Sequence, residues 1–174
     1  MKKIICIVLV LISLCTLAIA QDGVFVPSYS VFMDRFFEKL ITTDEELSEK
    51  FFSKYKQGNE WISPDSRVYI SGSKPMVKVR GKAGFLDSFR IEQNKDYFSQ
   101  NEATFKQLII DGATSICTDI NTETLFDDIY YQYVIDSPAG YISMYHNCGV
   151  YVFNLTKSSS DITFEIYLSL YESQ

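Results

Sequence analysis

The chain has a single histidine, His146, so any imidazole that acts as a general base must be this residue. A site built on several histidines is therefore excluded. We expect His146 on the core face of a strand, beside Met144 and Cys148. Spacing assigns it no acidic partner. The sequence therefore favours a hydrogen-bonded core histidine, and His146 is left as a catalytic candidate without a partner.

The acidic residues give no catalytic pair and no metal site. Asp127 and Asp128 are adjacent, so on a strand they point to opposite faces and cannot share a proton. In a turn they would form a solvated acidic patch. Residues 119–123 place oxygen side chains two apart, as the start of a calcium loop does. Thr124 and Tyr130 stand where that loop needs Gly and Glu, so we predict neither a metal nor another cofactor.

Aromatic side chains make up 15% of the chain and suggest binding surfaces. Trp61, Tyr69 and His146 are the candidates for contact with a ligand. The alternative for Trp61 is a hydrophobic plug between helix and sheet. Five tyrosines are predicted on the sheet face turned away from the helices, as an interface or as cross-strand aromatic pairs: Tyr141, Tyr145, Tyr151, Tyr167 and Tyr171.

Residues 1–20 have the anatomy of a secretory signal peptide, with Lys2 and Lys3 before an apolar stretch and a cleavage site after Ala20. We therefore predict a secreted or periplasmic protein, with no membrane span in the mature chain. Lipidation at Cys15 is disfavoured, because Leu14 stands where that processing needs a small residue.

Two cysteines, Cys117 and Cys148, lie outside the signal peptide. In an oxidising compartment they are candidates for a disulfide. The alternative is two buried thiols on separate strands, and the sequence does not decide between them because it gives no Cα separation.

Charge argues against a nucleic-acid partner. The formal net charge is −6, and loss of the two signal-peptide lysines makes it more negative still. Such a chain repels a phosphate backbone. Four basic residues cluster against this background, as an anion-binding patch or as solvated hairpin lysines that discourage edge pairing: Lys74, Lys78, Arg80 and Lys82.

Two amphipathic helices are predicted at the start of a single domain that spans residues 21–174. Apolar residues recur at helical spacing from Tyr29 to Leu40, after a Ser28 cap, and again from Leu47 to Tyr55. Thr43 and Glu46 fit a capping box between the two helices, and Gly58 is a stop signal. The two helices should fold back on each other.

Antiparallel sheet is predicted for most of the remainder. Residues 67–71 and 76–80 should form a hairpin, and Gly81 should turn the chain into a short third helix at residues 82–89. A polar loop or a frayed turn is expected at residues 92–102. Further strands are expected at 105–110, 115–117, 129–135, 141–153 and 162–171, with Ile162, Phe164 and Ile166 on the core face.

This order resembles the nuclear-transport-factor-2-like superfamily, and its polyketide-cyclase-like branch in particular. The resemblance rests on two stretches. At residues 79–86 an extended segment passes through Gly81 into a predicted short helix, and at residues 161–167 a turn leads into the final strand. It implies an α+β fold in which a helical hairpin and a short third helix pack on a curved antiparallel sheet and enclose a conical cavity. A different α+β sheet with a helical hairpin on one face is the rival, because residues 105–136 fit least well.

The sequence thus predicts an exported, non-catalytic protein that binds a small molecule or a protein partner. Fold alone does not choose among the uses of such a cavity. One alternative is a small cavity enzyme of the isomerase or dehydratase type that uses His146. The other is a homodimerising interaction module that uses the tyrosine-bearing sheet face.

Overall fold

The computed structural model describes residues 27–63, 73–116, 131, 134–138, 142–148 and 151–169, with 142–148 described as backbone. Within these ranges the chain is α+β, with helices packed against a five-stranded antiparallel sheet. The predicted α+β class is confirmed. No helix in these ranges combines the length and the apolar character needed to cross a membrane.

The predicted helical hairpin is present, as α1 (Tyr29–Thr43) and α2 (Glu45–Tyr55). Ser28 caps α1, since its hydroxyl accepts from the backbone N–H of Val31 at 3.3 Å. The cap of α2 is Asp44 and not Thr43, so the predicted capping box is wrong. Asp44 is extended and its carboxylate accepts from the N–H of Leu47 at 2.9 Å, whereas Thr43 remains the last residue of α1.

The described strands form two antiparallel sheets. A small one pairs β1 (Lys56–Gln57) with β2 (Glu60–Trp61). The main sheet has the order β3-β4-β7-β6-β5. Its members are β3 (Met76–Lys82), β4 (Phe85–Asn94), β5 (Ile142–Cys148), β6 (Tyr151–Lys157) and β7 (Asp161–Leu168). The predicted strand at residues 67–71 lies outside the described residues.

Gly81 does not lead into a helix, so the predicted third helix at residues 82–89 is wrong. The chain turns at Ala83 and Gly84, whose φ values of 52° and 83° are both left-handed, and returns as β4. Two such residues in succession suit a tight hairpin between twisted strands. Gly81 lies instead at a register shift in β3, where an added Cβ would stand 2.7 Å from Cδ2 of Tyr29.

In the region that fitted the sequence pattern least well, residues 105–136, the described residues are helical. A short 3₁₀ turn (Lys95–Tyr97) leads into α3 (Phe98–Ile116), so the strand predicted at 105–110 is wrong. The loop or frayed turn predicted at 92–102 is limited to this 3₁₀ turn, since residues 92–94 belong to β4 and 98–102 to α3. Phe105, Leu108 and Ile109 are buried on α3 at helical spacing. Residues 115, 116, 131, 134 and 135 are also helical where strands were predicted.

The C-terminal strands pair as a meander. The single run predicted at residues 141–153 is two strands, because β5 and β6 pair from Ile142–Lys157 to Cys148–Tyr151 as a hairpin. The alternation predicted for the last strand is confirmed, with Ile162, Phe164 and Ile166 buried.

Phe89 on β4 is the point where the helices meet the sheet. Its ring centroid lies 4.9 Å from that of Phe36 and 5.5 Å from that of Phe32, both on α1. Gly112 of α3 approaches the same ring so closely that an added Cβ would lie 2.7 Å from Cζ of Phe89. A side chain at position 112 therefore cannot be accommodated without movement of the helix or the ring.

We expect Gly112→Ala to lower the free energy of unfolding by about 1–3 kcal/mol, because an extra carbon would be forced into a close-packed core. At an open helical position the same change is stabilising by about 1 kcal/mol. The sign of the change, measured by chemical denaturation, therefore tests the contact.

The matched control is the same substitution in a Phe89→Leu background, where the smaller side chain leaves room for the new methyl group. In that background we expect Gly112→Ala to lower the free energy of unfolding by much less. An equal cost in both backgrounds would contradict the contact.

Candidate functional site

Trp61 lies on β2, directly after the helical hairpin, and its position is fixed on both sides. Its indole Nε1 donates to Oδ1 of Asp34 on α1 at 2.6 Å. The next residue, Ile62, donates its backbone N–H to the Tyr55 carbonyl at 2.8 Å and accepts from the Tyr29 hydroxyl at 2.7 Å. The start and the end of the helical hairpin thus hold the indole in place.

Phe37, Phe52 and Trp61 form an aromatic surface cluster on the outer side of the hairpin. The ring centroids of Phe37 and Phe52 are 5.2 Å apart, and that of Trp61 lies 5.5 Å from Phe37 and 6.1 Å from Phe52. Phe52 is 45% exposed, while Phe37 and Trp61 are half-buried. Two helices and a strand therefore present aromatic carbon to solvent at one place.

Two opposite charges flank the indole. The Lys56 ammonium lies 4.3 Å from the centroid of the Trp61 ring, which is cation–π geometry, and the Asp34 carboxylate takes the indole N–H. Neither group is arranged as a nucleophile or a general base. Over the described part of the chain, no group of three metal-ligating side chains is brought together. The arrangement is suited to binding.

Among the three predicted ligand-contact residues, the structure describes the side chain of Trp61 alone. Trp61 packs on the helical hairpin and against the core, so it has part of the plug role considered above, and it remains half-buried. Tyr69 lies outside the described residues. The backbone of His146 is in β5, paired with Phe153 on β6. The catalytic role of His146 stays a prediction.

Of the five tyrosines predicted on the sheet face turned away from the helices, Tyr151 does not lie on a surface. Tyr151 is 1% exposed, and its hydroxyl donates to the Leu86 carbonyl at 3.2 Å, so it belongs to the core and not to a surface. Tyr167 is half-buried on β7, and Tyr145 is paired with Asn154 through the backbone. Tyr141 and Tyr171 lie outside the described residues.

The structure describes part of the predicted cysteine pair and part of the predicted basic cluster. Cys117 lies outside the described residues and Cys148 is described by its backbone in β5, so the disulfide stays a prediction. Lys74 forms an ion pair with Glu46 at 2.8 Å at the start of α2, and hydrogen bonds from Lys74 and Lys50 lower the pKa of Glu46. Lys74 is therefore tied to the helical hairpin and is not part of a free anion site.

Asp111 is a buried carboxylate within α3 and is 4% exposed. Its two oxygens accept from the Thr43 hydroxyl at 2.6 Å and from Nε2 of Gln107 at 2.9 Å. Lys39 of α1 donates to Thr114 nearby, and burial lowers the pKa of Lys39 although the Asp111 charge opposes this. The Thr43–Asp111 hydrogen bond joins α1 to α3, and each carboxylate oxygen of Asp111 already accepts a hydrogen bond.

Sequence reasoning missed Asp34, Phe37, Phe52 and Lys56 as members of a site. A signal was present in the two Phe-Phe pairs at residues 36–37 and 51–52. Adjacent helical residues are separated by about 100°, so one phenylalanine of each pair enters the core while the other is turned toward the helix flank.

Comparison of the chain with protein-family models, with curated proteins and with solved structures finds no match. The class of the protein is therefore defined by its architecture, an α+β fold with helices on an antiparallel sheet. The nuclear-transport-factor-2-like resemblance stays a prediction.

We expect Lys56→Met to lower the free energy of unfolding by about 0.5–1 kcal/mol, because it removes the cation from the indole face while keeping an aliphatic chain of similar length. The fluorescence emission of Trp61, the only tryptophan in the sequence, should also change in this variant. The control is Lys82→Met, at an exposed position on β3, which should change neither the free energy of unfolding nor the fluorescence. Equal effects of the two substitutions would refute the cation–π contact.

We also expect stability to fall as pH rises above 10. Burial raises the pKa of Tyr151, and the Asp87 charge raises it further; burial likewise raises the pKa of Tyr29, Tyr55 and Tyr131. The unfolded chain therefore loses these protons first, near pH 10, and is favoured as pH rises.

Tyr151→Phe separates this effect from packing. Loss of the hydrogen bond to Leu86 should cost about 1 kcal/mol at pH 8. The decline in unfolding free energy between pH 10 and pH 11 should nevertheless be shallower than in the parent protein. An unchanged decline would show that Tyr151 does not contribute to alkaline unfolding.

Proposed function

We propose that this chain is an exported, non-catalytic binding protein that contacts a partner protein through the aromatic surface cluster. The observation that carries the proposal is the Phe52 ring, which is 45% exposed while it packs against Phe37 and Trp61. Export rests on the signal-peptide anatomy of residues 1–20.

Several features favour a protein partner over a small ligand at this cluster. Aromatic side chains are enriched at the centres of protein interfaces, where they bury large area at little cost in side-chain entropy. The polar groups that would orient a small ligand are already engaged, because Lys56 covers the Trp61 ring and Asp34 accepts from its N–H. The two charges also form a polar edge beside apolar surface.

We propose a nuclear-transport-factor-2-like cone as the scaffold. In support, a helical hairpin precedes an antiparallel sheet, and the sheet side chains of one face join the helices in a single core. The long α3 helix lies in the region that fits the resemblance least well, and residues 82–89 form part of the β3–β4 hairpin and not the short third helix that the resemblance implies. The described residues include no observation that favours catalysis, so a binding role is the simpler proposal.

Site-specific photo-crosslinking tests the binding surface. The full chain is expressed in its native host with p-benzoylphenylalanine in place of Phe52, and in a second strain in place of Tyr97. Tyr97 is 40% exposed and lies on the 3₁₀ turn, so it matches Phe52 in exposure but not in position.

On illumination, we expect a discrete adduct from position 52 whose partner is identified by mass spectrometry, and none of that mass from position 97. The absence of a discrete adduct at position 52, or the same adduct at both positions, would contradict the proposal. An adduct of twice the mass of the chain would place a second copy at the cluster and would also contradict it.

A further inference from the structure

The two ends of the main sheet are built differently. The strand order places β3 at one end and β5 at the other. An end strand offers a row of N–H and C=O groups that can pair with another chain, and proteins usually block such a row with charge, irregularity or cover.

The β3 edge has all three kinds of protection. Its backbone N–H groups at Val79 and Gly81 donate to the Tyr55 hydroxyl at 2.9 Å and to Oγ of Ser63 at 2.8 Å. A register shift interrupts the strand between Arg80 and Gly81. The strand also carries three basic residues, Lys78, Arg80 and Lys82. An added strand at this edge would have to displace the hydroxyls and meet positive charge.

The β5 edge has no charged residue and no register shift. Its seven residues, ISMYHNC, include no Asp, Glu, Lys, Arg or Pro. It pairs with β6 residue for residue and without a register shift, and among the described strands β6 is its one neighbour. A regular, uncharged end strand of this length is the kind that associates.

We propose that β5 pairs antiparallel with β5 of a second copy of this chain across a two-fold axis, so that the two sheets become continuous. A register centred on Tyr145 uses the whole strand and sets Ser143 opposite Asn147 of the partner copy. Identical strands can pair in this way because no like charges oppose each other, whereas two β3 strands would bring basic residues together. The two-fold axis also closes the assembly at a dimer and prevents further growth.

This dimer differs from one that uses the tyrosine-bearing face, because main-chain hydrogen bonds hold it together. It is also independent of the aromatic surface cluster, which lies on α1, α2 and β2. Failure of either proposal leaves the other intact.

Two double variants of the full chain, produced and purified in the same way as the parent, test the proposal by sedimentation velocity over a concentration series. Ser143→Lys with Asn147→Lys places lysine opposite lysine twice in the proposed register. Ser143→Lys with Asn147→Glu places lysine opposite glutamate twice. Ser143 pairs on β6 with the half-buried Thr156, and Asn147 pairs with Val152, which is 8% exposed; because both variants change the same two positions, a fold defect at either position would affect both variants.

We expect the parent protein to dimerise, the Lys/Lys variant to dissociate at a concentration about tenfold higher than the parent or more, and the Lys/Glu variant to stay close to the parent. A fold defect would weaken both variants, and circular dichroism identifies that case; a Ser143→Lys/Asn147→Gln variant then repeats the comparison with one charge fewer. A monomeric parent overturns the proposal. So does a dimer that both double variants leave intact, or one that pairs β5 with a different protein.

Discussion

The contact between Gly112 and the ring of Phe89 sets the distance between α3 and the sheet, and the rest of the core depends on it. With no side chain at position 112, the helix lies directly on an aromatic ring, which also packs edge-on against Phe32 and Phe36 of α1. One residue of β4 therefore joins two helices to the sheet. Any increase in bulk at this point would separate α1 and α3 from the sheet together, because close-packed interiors transmit such strain.

The aromatic surface cluster follows from the same packing. Phe36 occupies the core beside Phe89, and Phe51 of α2 packs on Phe36 with ring centroids 5.5 Å apart. The two phenylalanines that follow them in sequence, Phe37 and Phe52, cannot enter that core from the same helix faces. They meet on the flank of the hairpin, where Trp61 joins them. The proposed binding surface is thus the external part of a core whose internal part packs α2 against α1.

The parts of the fold that could be predicted from sequence are those with a long, single periodicity. The stripes of α1 and α2 and the alternation at Ile162, Phe164 and Ile166 are of this kind. The α3 helix was missed because a short apolar run at residues 105–110 suits a buried strand as well as a helix, and because Gly112 resembles a turn residue until its close approach to Phe89 is seen. The site was found in part, through Trp61, since partners 24 and 27 residues away along the chain leave no local pattern.

Sheet order places the two proposed contact surfaces far apart. Tyr55, at the end of α2, hydrogen-bonds to β3, so the helical hairpin that carries the aromatic cluster is attached at that end of the sheet. β5 is four strands away, a separation of about 19 Å at the usual strand spacing. A strand added to β5 would extend the sheet away from the hairpin. Pairing of two copies would therefore leave both aromatic clusters accessible, at opposite ends of one continuous sheet, and a dimer would present its partner with two equivalent sites.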